Sequence, residues 1–235
     1  MSPFTLHLLM DLLALISAAI AGYLFYKYEF PDDYKHPAVA GYRHYLFTLS
    51  VGALLGATLL GTLNLWVSDV AGIGRSILGG ILGGIAAVEW YKARHGIQGS
   101  TGAALVVPLG IGIATGRVGC FLVGLQDYTY GTATSLPWAW DFGDGVLRHP
   151  VQLYESFSMT LAVIVFAFVL KYRPQDTVKS GFYWFVAWYG VQRFAFEFIK
   201  PYGDVVASLN VFHLGSLVLI AYALVMVNRS GSAGS

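Results

Sequence analysis

Four ionisable residues, Arg117, Glu155, Arg193 and Glu197, sit inside long apolar runs of this sequence. A charge in such a run costs several kcal/mol (about 2.5–3.5 on insertion scales), so it normally faces a protein interior and is paired or functional. Arg193 and Glu197 are spaced i, i+4, which puts them on one helical face within pairing distance. Taken alone, that pair reads equally well as a structural ion pair. Arg117 needs a separate partner, and Glu155 is the candidate. Two guanidinium groups brought to one place suit a phosphate diester, because the planar fork bonds its oxygens in pairs. A phospholipid head group is such a ligand. His7 and Asp11, also i, i+4, read as a hydrogen-bonded interfacial pair, and Glu89 with Lys92 as a structural one. His213 enters the last apolar run and is a candidate lining residue for the same cavity. The single cysteine, Cys120, excludes an internal disulfide and reads as a packing residue or as part of its local motif.

The elements that must position these residues follow from composition. The 235 residues are 56% hydrophobic and only 11% charged, with a mean hydropathy of +0.62, whereas soluble domains are about 25% charged. A net charge of +1 gives no electrostatic footprint for nucleic acid, which is excluded as a partner. A membrane-crossing helix needs about 20 apolar residues. Seven such stretches are expected, over residues 5–26, 45–67, 76–91, 102–124, 151–170, 181–199 and 211–227. The third is short, and its Gly79, Gly80, Gly83 and Gly84 predict close helix packing. The N-terminal run lacks the basic start of a signal peptide and is expected to remain as a span.

Orientation follows from the bias of Lys and Arg to cytoplasmic loops. Lys27, Lys35, Arg43, Lys92, Arg94, Lys171, Arg173, Lys179 and Arg229 fall on one side, and Arg75, Arg148 and Lys200 on the other. The expected fold is thus all-α, a polytopic membrane protein with seven transmembrane helices, its N-terminus outside and its C-terminus inside. Residues 1–228 read as one integral membrane domain, and 229–235 as a flexible Gly/Ser tail of the sort a cloning vector adds. On this topology the four buried charges all fall in the outer half, Arg193 about 10 Å and Glu155 about 6 Å below the outer boundary at 1.5 Å of rise per residue. One cavity could hold them. The inner halves of the fourth to sixth spans are almost wholly apolar, which argues against a channel or transporter. Paired histidines at metal spacing, a phosphate-binding glycine loop, a G-x-S-x-G elbow and a haem-type histidine pair are all missing. The polar groups suit a lipid, with no metal or cofactor expected.

Three stretches together carry a resemblance. They are Gly116-Arg117-Val118-Gly119-Cys120-Phe121, then Arg148-His149-Pro150-Val151-Gln152-Leu153-Tyr154-Glu155, then Arg193-Phe194-Ala195-Phe196-Glu197-Phe198. The chain resembles the prolipoprotein diacylglyceryl transferase family, most specifically in R-H-P-x-Q-L-Y-E, over roughly residues 72–200. The resemblance implies a bacterial plasma-membrane enzyme with its site facing the outer leaflet. Such an enzyme moves the diacylglyceryl group of phosphatidylglycerol to the thiol of a lipobox cysteine in an exported precursor and releases glycerol phosphate. It implies that Arg117 and Arg193 hold the phosphate, that Glu197 orients Arg193, and that Gln152, Tyr154 and Glu155 shape the pocket at the mouth of the fifth span; Arg148, Cys120 and His213 are further candidates for binding the substrate.

The departures lie on the acceptor side. The family's S-F-H-G-G, whose histidine is proposed as the thiol-activating base, reads Ser76-Ile77-Leu78-Gly79-Gly80 here. Leu78 cannot accept a proton. Cys120 replaces the Asn of G-R-x-G-N-F, Leu125 replaces the acidic residue five positions later, and the first span has no R-x-Y-G. Activation must then come from elsewhere, with His149 or His213 as candidates because histidine titrates near neutrality. A paralogue using the same donor with another acceptor, or a non-catalytic lipid-binding scaffold, are the alternatives.

Overall fold

A computed structural model describes residues 3–34 and 42–232. Lys35, counted above in the first basic loop, lies outside the described residues. Among the described residues the regular structure is helical apart from one short hairpin. Its helices are α1 (Pro3–Leu24), α2 (Tyr42–Val67), α3 (Ile77–His95), α4 (Val106–Val123), α5 (Val151–Tyr172), α6 (Pro174–Glu197) and α7 (Val211–Ser232). They coincide with the seven apolar stretches to within a few residues, except that α6 begins seven residues before its stretch. Among the described residues five helical segments are long and apolar enough to cross a membrane: Thr5–Glu29, Arg43–Val67, Ala103–Asp127, Val151–Tyr172 and Val211–Gly231. Helices α3 and α6 fall short of that composition. Both carry charged residues, Glu89, Lys92 and Arg94 in α3 and Asp176, Lys179, Arg193 and Glu197 in α6.

The helix ends are set by local chemistry. Ser76 caps α3, accepting from the Gly79 amide at 3.2 Å, and Gly96 ends it at φ 64°, a left-handed conformation that glycine adopts without strain. Pro174, which has no N–H to satisfy, opens α6 two residues after α5 ends at Tyr172, the chain turning through Arg173. Asn210 caps α7, its Oδ1 accepting from the amides of Phe212 and His213 at 2.9 and 3.0 Å. Helix α7 runs to Ser232, into the Gly/Ser stretch expected to be a tail. Ser230 donates to the Val227 carbonyl at 2.8 Å, and Arg229 lies in the last turn, where a cation complements the helix dipole. Residues 233–235 lie outside the described residues.

The chain divides into two compact units. The first comprises Met1–Pro31 and Gly102–Pro201, with α1, α4, α5, α6 and the hairpin β1 (Trp140–Asp141) and β2 (Leu147–Arg148). In the hairpin Trp140 pairs with Arg148 and Asp141 with Leu147, antiparallel. Helices α1 and α4 run side by side in opposite directions. Gly119 admits Met10 so closely that a Cβ there would sit 2.6 Å from the Met10 Cβ. Helix α5 joins α4 through the Ser156 hydroxyl, which donates to the Ala114 carbonyl at 2.9 Å, and joins α6 through Trp188, whose indole donates to Ser158 at 3.0 Å.

The second unit comprises Asp32–Thr101 and Tyr202–Ser235, with α2, α3 and α7. Helices α2 and α3 pack backbone against backbone at Gly56 and Gly79, where a Cβ on Gly56 would lie 2.2 Å from the Gly79 carbonyl oxygen. The small-residue packing expected of the third stretch is realised there. Glu89 accepts from Lys92 at 2.9 Å and from the Tyr222 hydroxyl at 2.9 Å.

Candidate active site

The first unit brings together the four charges that lie in apolar runs of the sequence. Helix α4 supplies Arg117, α5 supplies Glu155, and α6 supplies Arg193 and Glu197 one turn apart. Glu155 is the hub. Its Oε2 takes Arg117 Nε at 3.0 Å, and its Oε1 takes Arg193 Nη1 at 2.8 Å. Arg193 Nη2 also reaches Glu197 Oε1 at 2.8 Å, the i, i+4 pair read from spacing. The pairing of Arg117 with Glu155 is likewise present. All four side chains are buried.

A fifth member, Lys200, was counted above only as a loop charge. The structure buries it completely, with Nζ 2.8 Å from Glu155 Oε1 and 3.4 Å from Glu197 Oε1. The last turn of α6 continues through bonds from the Ile199 and Lys200 amides to the Phe196 and Glu197 carbonyls, which holds Lys200 over its own helix end. Its i, i+3 spacing from Glu197 was the available signal. The resulting group has three cations on two carboxylates. Removing one partner from such a buried group costs about 3–5 kcal/mol, because it strands the charge that remains.

Neutral polar side chains adjoin the charges. Gln152, one turn before Glu155 on α5, is fully buried, and among the described residues neither end of its amide has a hydrogen-bond partner. The Tyr189 hydroxyl, one turn before Arg193 on α6, is buried in the same condition and lies within electrostatic reach of Arg117, Glu155, Arg193 and Glu197. A buried polar atom left without a bond costs about 1–3 kcal/mol, and such atoms mark positions kept for something other than stability.

The remaining candidates have neighbours of their own. Arg148 on β2 pairs with Asp144 at 2.6 Å, donates to the Val146 carbonyl at 3.2 Å and lies over the Tyr130 ring. Asp141 Oδ1 organises the same turn by accepting from the amides of Gly143, Asp144 and Gly145. Arg148 holds the Asp144 carboxyl below its usual range, with the Val146 amide adding to the effect. His149 lies with Tyr154 and Trp138 in a more exposed group, where Trp138 Nε1 donates to the Tyr154 hydroxyl at 2.8 Å and His149 Nδ1 is 3.4 Å from that hydroxyl. His213 belongs to the second unit, where its Nδ1 accepts from the Asn210 amide at 3.1 Å as part of the α7 cap. Leu78 is fully buried in that unit as well.

A further polar group at the α4 end was only half visible in the sequence. His7 Nδ1 lies 3.1 Å from Asp11 Oδ2, as the spacing implied, and His7 Nε2 lies 2.9 Å from Asp127 Oδ1. Asp127 closes the single-turn helix that follows α4 and also accepts from Thr129 and from the Cys120 thiol. Residues 7 and 127 are too far apart in the chain for any spacing to have linked them.

Comparison with known proteins decides the relationship. The prolipoprotein diacylglyceryl transferase family matches this chain over residues 6–229. The chain belongs to that family. Among its relatives, the phosphatidylglycerol–prolipoprotein diacylglyceryl transferase of Pseudomonas aeruginosa strain PAO1 is 36% identical over 163 residues, which is 64% of this chain and 58% of the relative. The enzyme of the same name from Vibrio campbellii is 35% identical over 161 residues, 64% of this chain and 57% of the relative. That from Vibrio atlanticus is 34% identical over 202 residues, 77% of this chain and 71% of the relative. The chain thus aligns with less than two thirds of the length of the Pseudomonas family members. No solved structure matches it.

Proposed function

We propose that this family member is a phospholipid-dependent transferase. It takes the diacylglyceryl group of phosphatidylglycerol and places it on an acceptor, the lipobox cysteine thiol of an exported prolipoprotein, from the outer leaflet of a bacterial plasma membrane. The observation that carries this reading is the convergence of Arg117 and Arg193, from different helices, on the two oxygens of one buried carboxylate, with Lys200 beside them. A carboxylate and a phosphate diester are both planar-fork acceptors for guanidinium, and three cations on two carboxylates match a monoanionic diester in charge.

The chemistry follows from where charge develops. When the bond between the glycerol carbon and the phosphate oxygen breaks, negative charge grows on the departing phosphate. Donors already fixed in a buried site stabilise that charge without reorganising, and losing one such donor costs about 100–1,000-fold in kcat. Arg117 and Arg193 are those donors. Glu155 and Glu197 fix their planes, and Lys200 ties the two carboxylates together. The Gln152 amide and Tyr189 hydroxyl, buried without bonds among the described residues, bond oxygens of the bound head group.

All seven helices cross the membrane in this reading, with the N-terminus outside. Helix α6 falls short in apolar character, but two of the responsible charges, Arg193 and Glu197, are mutually paired in the interior as intramembrane charges are. Helix α3 likewise pairs Glu89 with Lys92. A different acceptor for the same donor is the second reading, favoured by the aliphatic, buried Leu78 at the position of the family's proposed base.

The test uses the purified chain in detergent micelles with phosphatidylglycerol labelled in its head-group glycerol and a synthetic lipobox peptide. Release of labelled glycerol phosphate that falls about 100-fold or more in Arg193→Ala is expected. Lipid binding without release would mark a scaffold, and release without peptide modification would mark another acceptor.

A further inference from the structure

A third extended segment lies against the β1–β2 hairpin. Ala133 bridges Arg148 of β2 in antiparallel sense, with the Thr134 amide donating to the Leu147 carbonyl at 2.9 Å and the His149 amide to the Thr132 carbonyl at 3.1 Å. These bonds flank the Ala133–Arg148 pair without joining it, so the amide and carbonyl of Ala133 point away from β2. On its other side Arg148 pairs with Trp140 of β1. Strand β2 is therefore central, and residues 132–135 form an edge. Ala133 and Ser135 are both exposed, and neither makes a backbone hydrogen bond among the described residues. Charges and prolines are common guards of such edges. Thr132, Ala133, Thr134 and Ser135 include neither.

One end of this edge is bonded to the chain of the charge cluster. Gly131 and Thr132 together face His149 as a bulge, the Gly131 amide donating to the His149 carbonyl at 3.1 Å and the His149 amide to the Thr132 carbonyl. A Cβ on Gly131 would lie 2.6 Å from the His149 Cβ, so the close approach needs glycine. The bulge frees the Thr132 amide, which donates to the Ile199 carbonyl at 2.8 Å. Ile199 lies between Glu197 and Lys200, and Lys200 Nζ bonds Glu155 Oε1 at 2.8 Å. The open edge thus runs directly into the turn that carries Lys200.

We propose that residues 132–135 are the docking edge for the acceptor polypeptide, which adds to it as an extended strand and pairs its backbone with Ala133. The inference rests on the transferase reading above and names how the acceptor of that reading is held. An extended peptide supplies what the edge lacks, an N–H and a C=O facing the same way at every second residue, which neither a lipid tail nor a helix offers. A strand rises about 3.3 Å per residue, so a cysteine two or three residues beyond the partner of Ala133, on the Ile199 side, is carried about 7–10 Å toward Lys200 and the charge cluster. Recognition through the main chain leaves the acceptor's side chains free to vary, and the small, uncharged side chains of the edge give them room.

The test uses the full-length chain in phosphatidylglycerol micelles with a fluorescent synthetic lipobox peptide, and measures peptide binding, release of glycerol phosphate and thermal unfolding. A series of peptides, each N-methylated at one backbone amide, is expected to bind about fivefold or more weakly at alternate positions and as the parent peptide does between them. Ala133→Pro removes an N–H that nothing accepts among the described residues, and it is expected to raise KM for the peptide about fivefold or more while leaving KM for the lipid in place. Losses of equal size along the peptide, or at no position, overturn the inference and leave the transferase reading standing. An unchanged KM for the peptide in a folded Ala133→Pro overturns it too, and should that variant unfold, the peptide series alone decides. A dimer of the chain that Ala133→Pro dissolves, with peptide binding intact, assigns the edge to a second copy and overturns the inference. Peptide bound in the alternating pattern with no glycerol phosphate released overturns the transferase reading and leaves the docking edge standing.

Discussion

Replacing Glu155 with Gln keeps the shape of the side chain and removes its charge, and so probes the hub directly. The carboxylate receives Arg117 at 3.0 Å on one oxygen, and Arg193 and Lys200, each at 2.8 Å, on the other. An amide offers one oxygen and one NH2 group, so at least one cation would face a donor where it had an acceptor. Hydrogen bonds to charged groups are worth about 1.5–3 kcal/mol each, but the two here, from Arg193 and Lys200, share one oxygen and do not add. Removal of one member of a buried ion group sets the scale at about 3–5 kcal/mol, equivalent to about 6–20 °C in Tm for a chain of this size. Thermal unfolding in a neutral detergent measures it. Phosphatidylglycerol should restore part of the loss, since its phosphate supplies the missing negative charge, whereas zwitterionic phosphatidylcholine should not. A Tm change below about 3 °C, or equal rescue by both lipids, would refute the reasoning.

Lys200→Met removes the cation bridging Glu155 and Glu197, and a loss of about 1–3 kcal/mol on the scale of charged hydrogen bonds is expected, with Lys200→Arg retaining more of both stability and lipid binding. Gln152→Leu replaces a buried amide that has no partner among the described residues. The variant should melt at or above the parent temperature while releasing glycerol phosphate more slowly, and unchanged turnover would remove Gln152 from the site. The Asp144 carboxyl has its pKa depressed by Arg148, so its contribution to the β1–β2 turn is present above the ordinary carboxylate value, about 3.9, and is lost as pH falls below it toward the depressed value. Protection of the Val146 amide, which donates to Asp144 Oδ1, should therefore fall in acid relative to its intrinsic exchange rate, and Asp144→Asn should abolish that acid step.

The sequence made the helices legible because apolar length is a strong signal: the seven stretches and α1 to α7 coincide to within a few residues, except at the start of α6. The charge cluster was legible in outline for the same reason, since Arg117, Glu155, Arg193 and Glu197 are conspicuous in apolar surroundings. Less visible was which residue each would meet. Spacing along one helix disclosed Arg193 with Glu197 and His7 with Asp11, but contacts between helices, such as Arg193 with Glu155 or His7 with Asp127, are set by packing that no local pattern encodes. Lys200 was missed because it follows the end of α6 and looks like a solvated loop residue, although its i, i+3 relation to Glu197 was available. The part of His213 in the α7 cap was likewise unread, although Asn210 three residues earlier is a common side-chain cap.

Arg117 and Arg193 acting on one phosphate is the claim on which the rest depends. An experimental structure of the chain with a non-transferable phosphatidylglycerol analogue tests it most directly. The account predicts the analogue's phosphate within hydrogen-bond distance of both guanidinium groups, its acyl chains leading away into the bilayer. A phosphate bound elsewhere while Arg117 and Arg193 stay locked on Glu155 would contradict it.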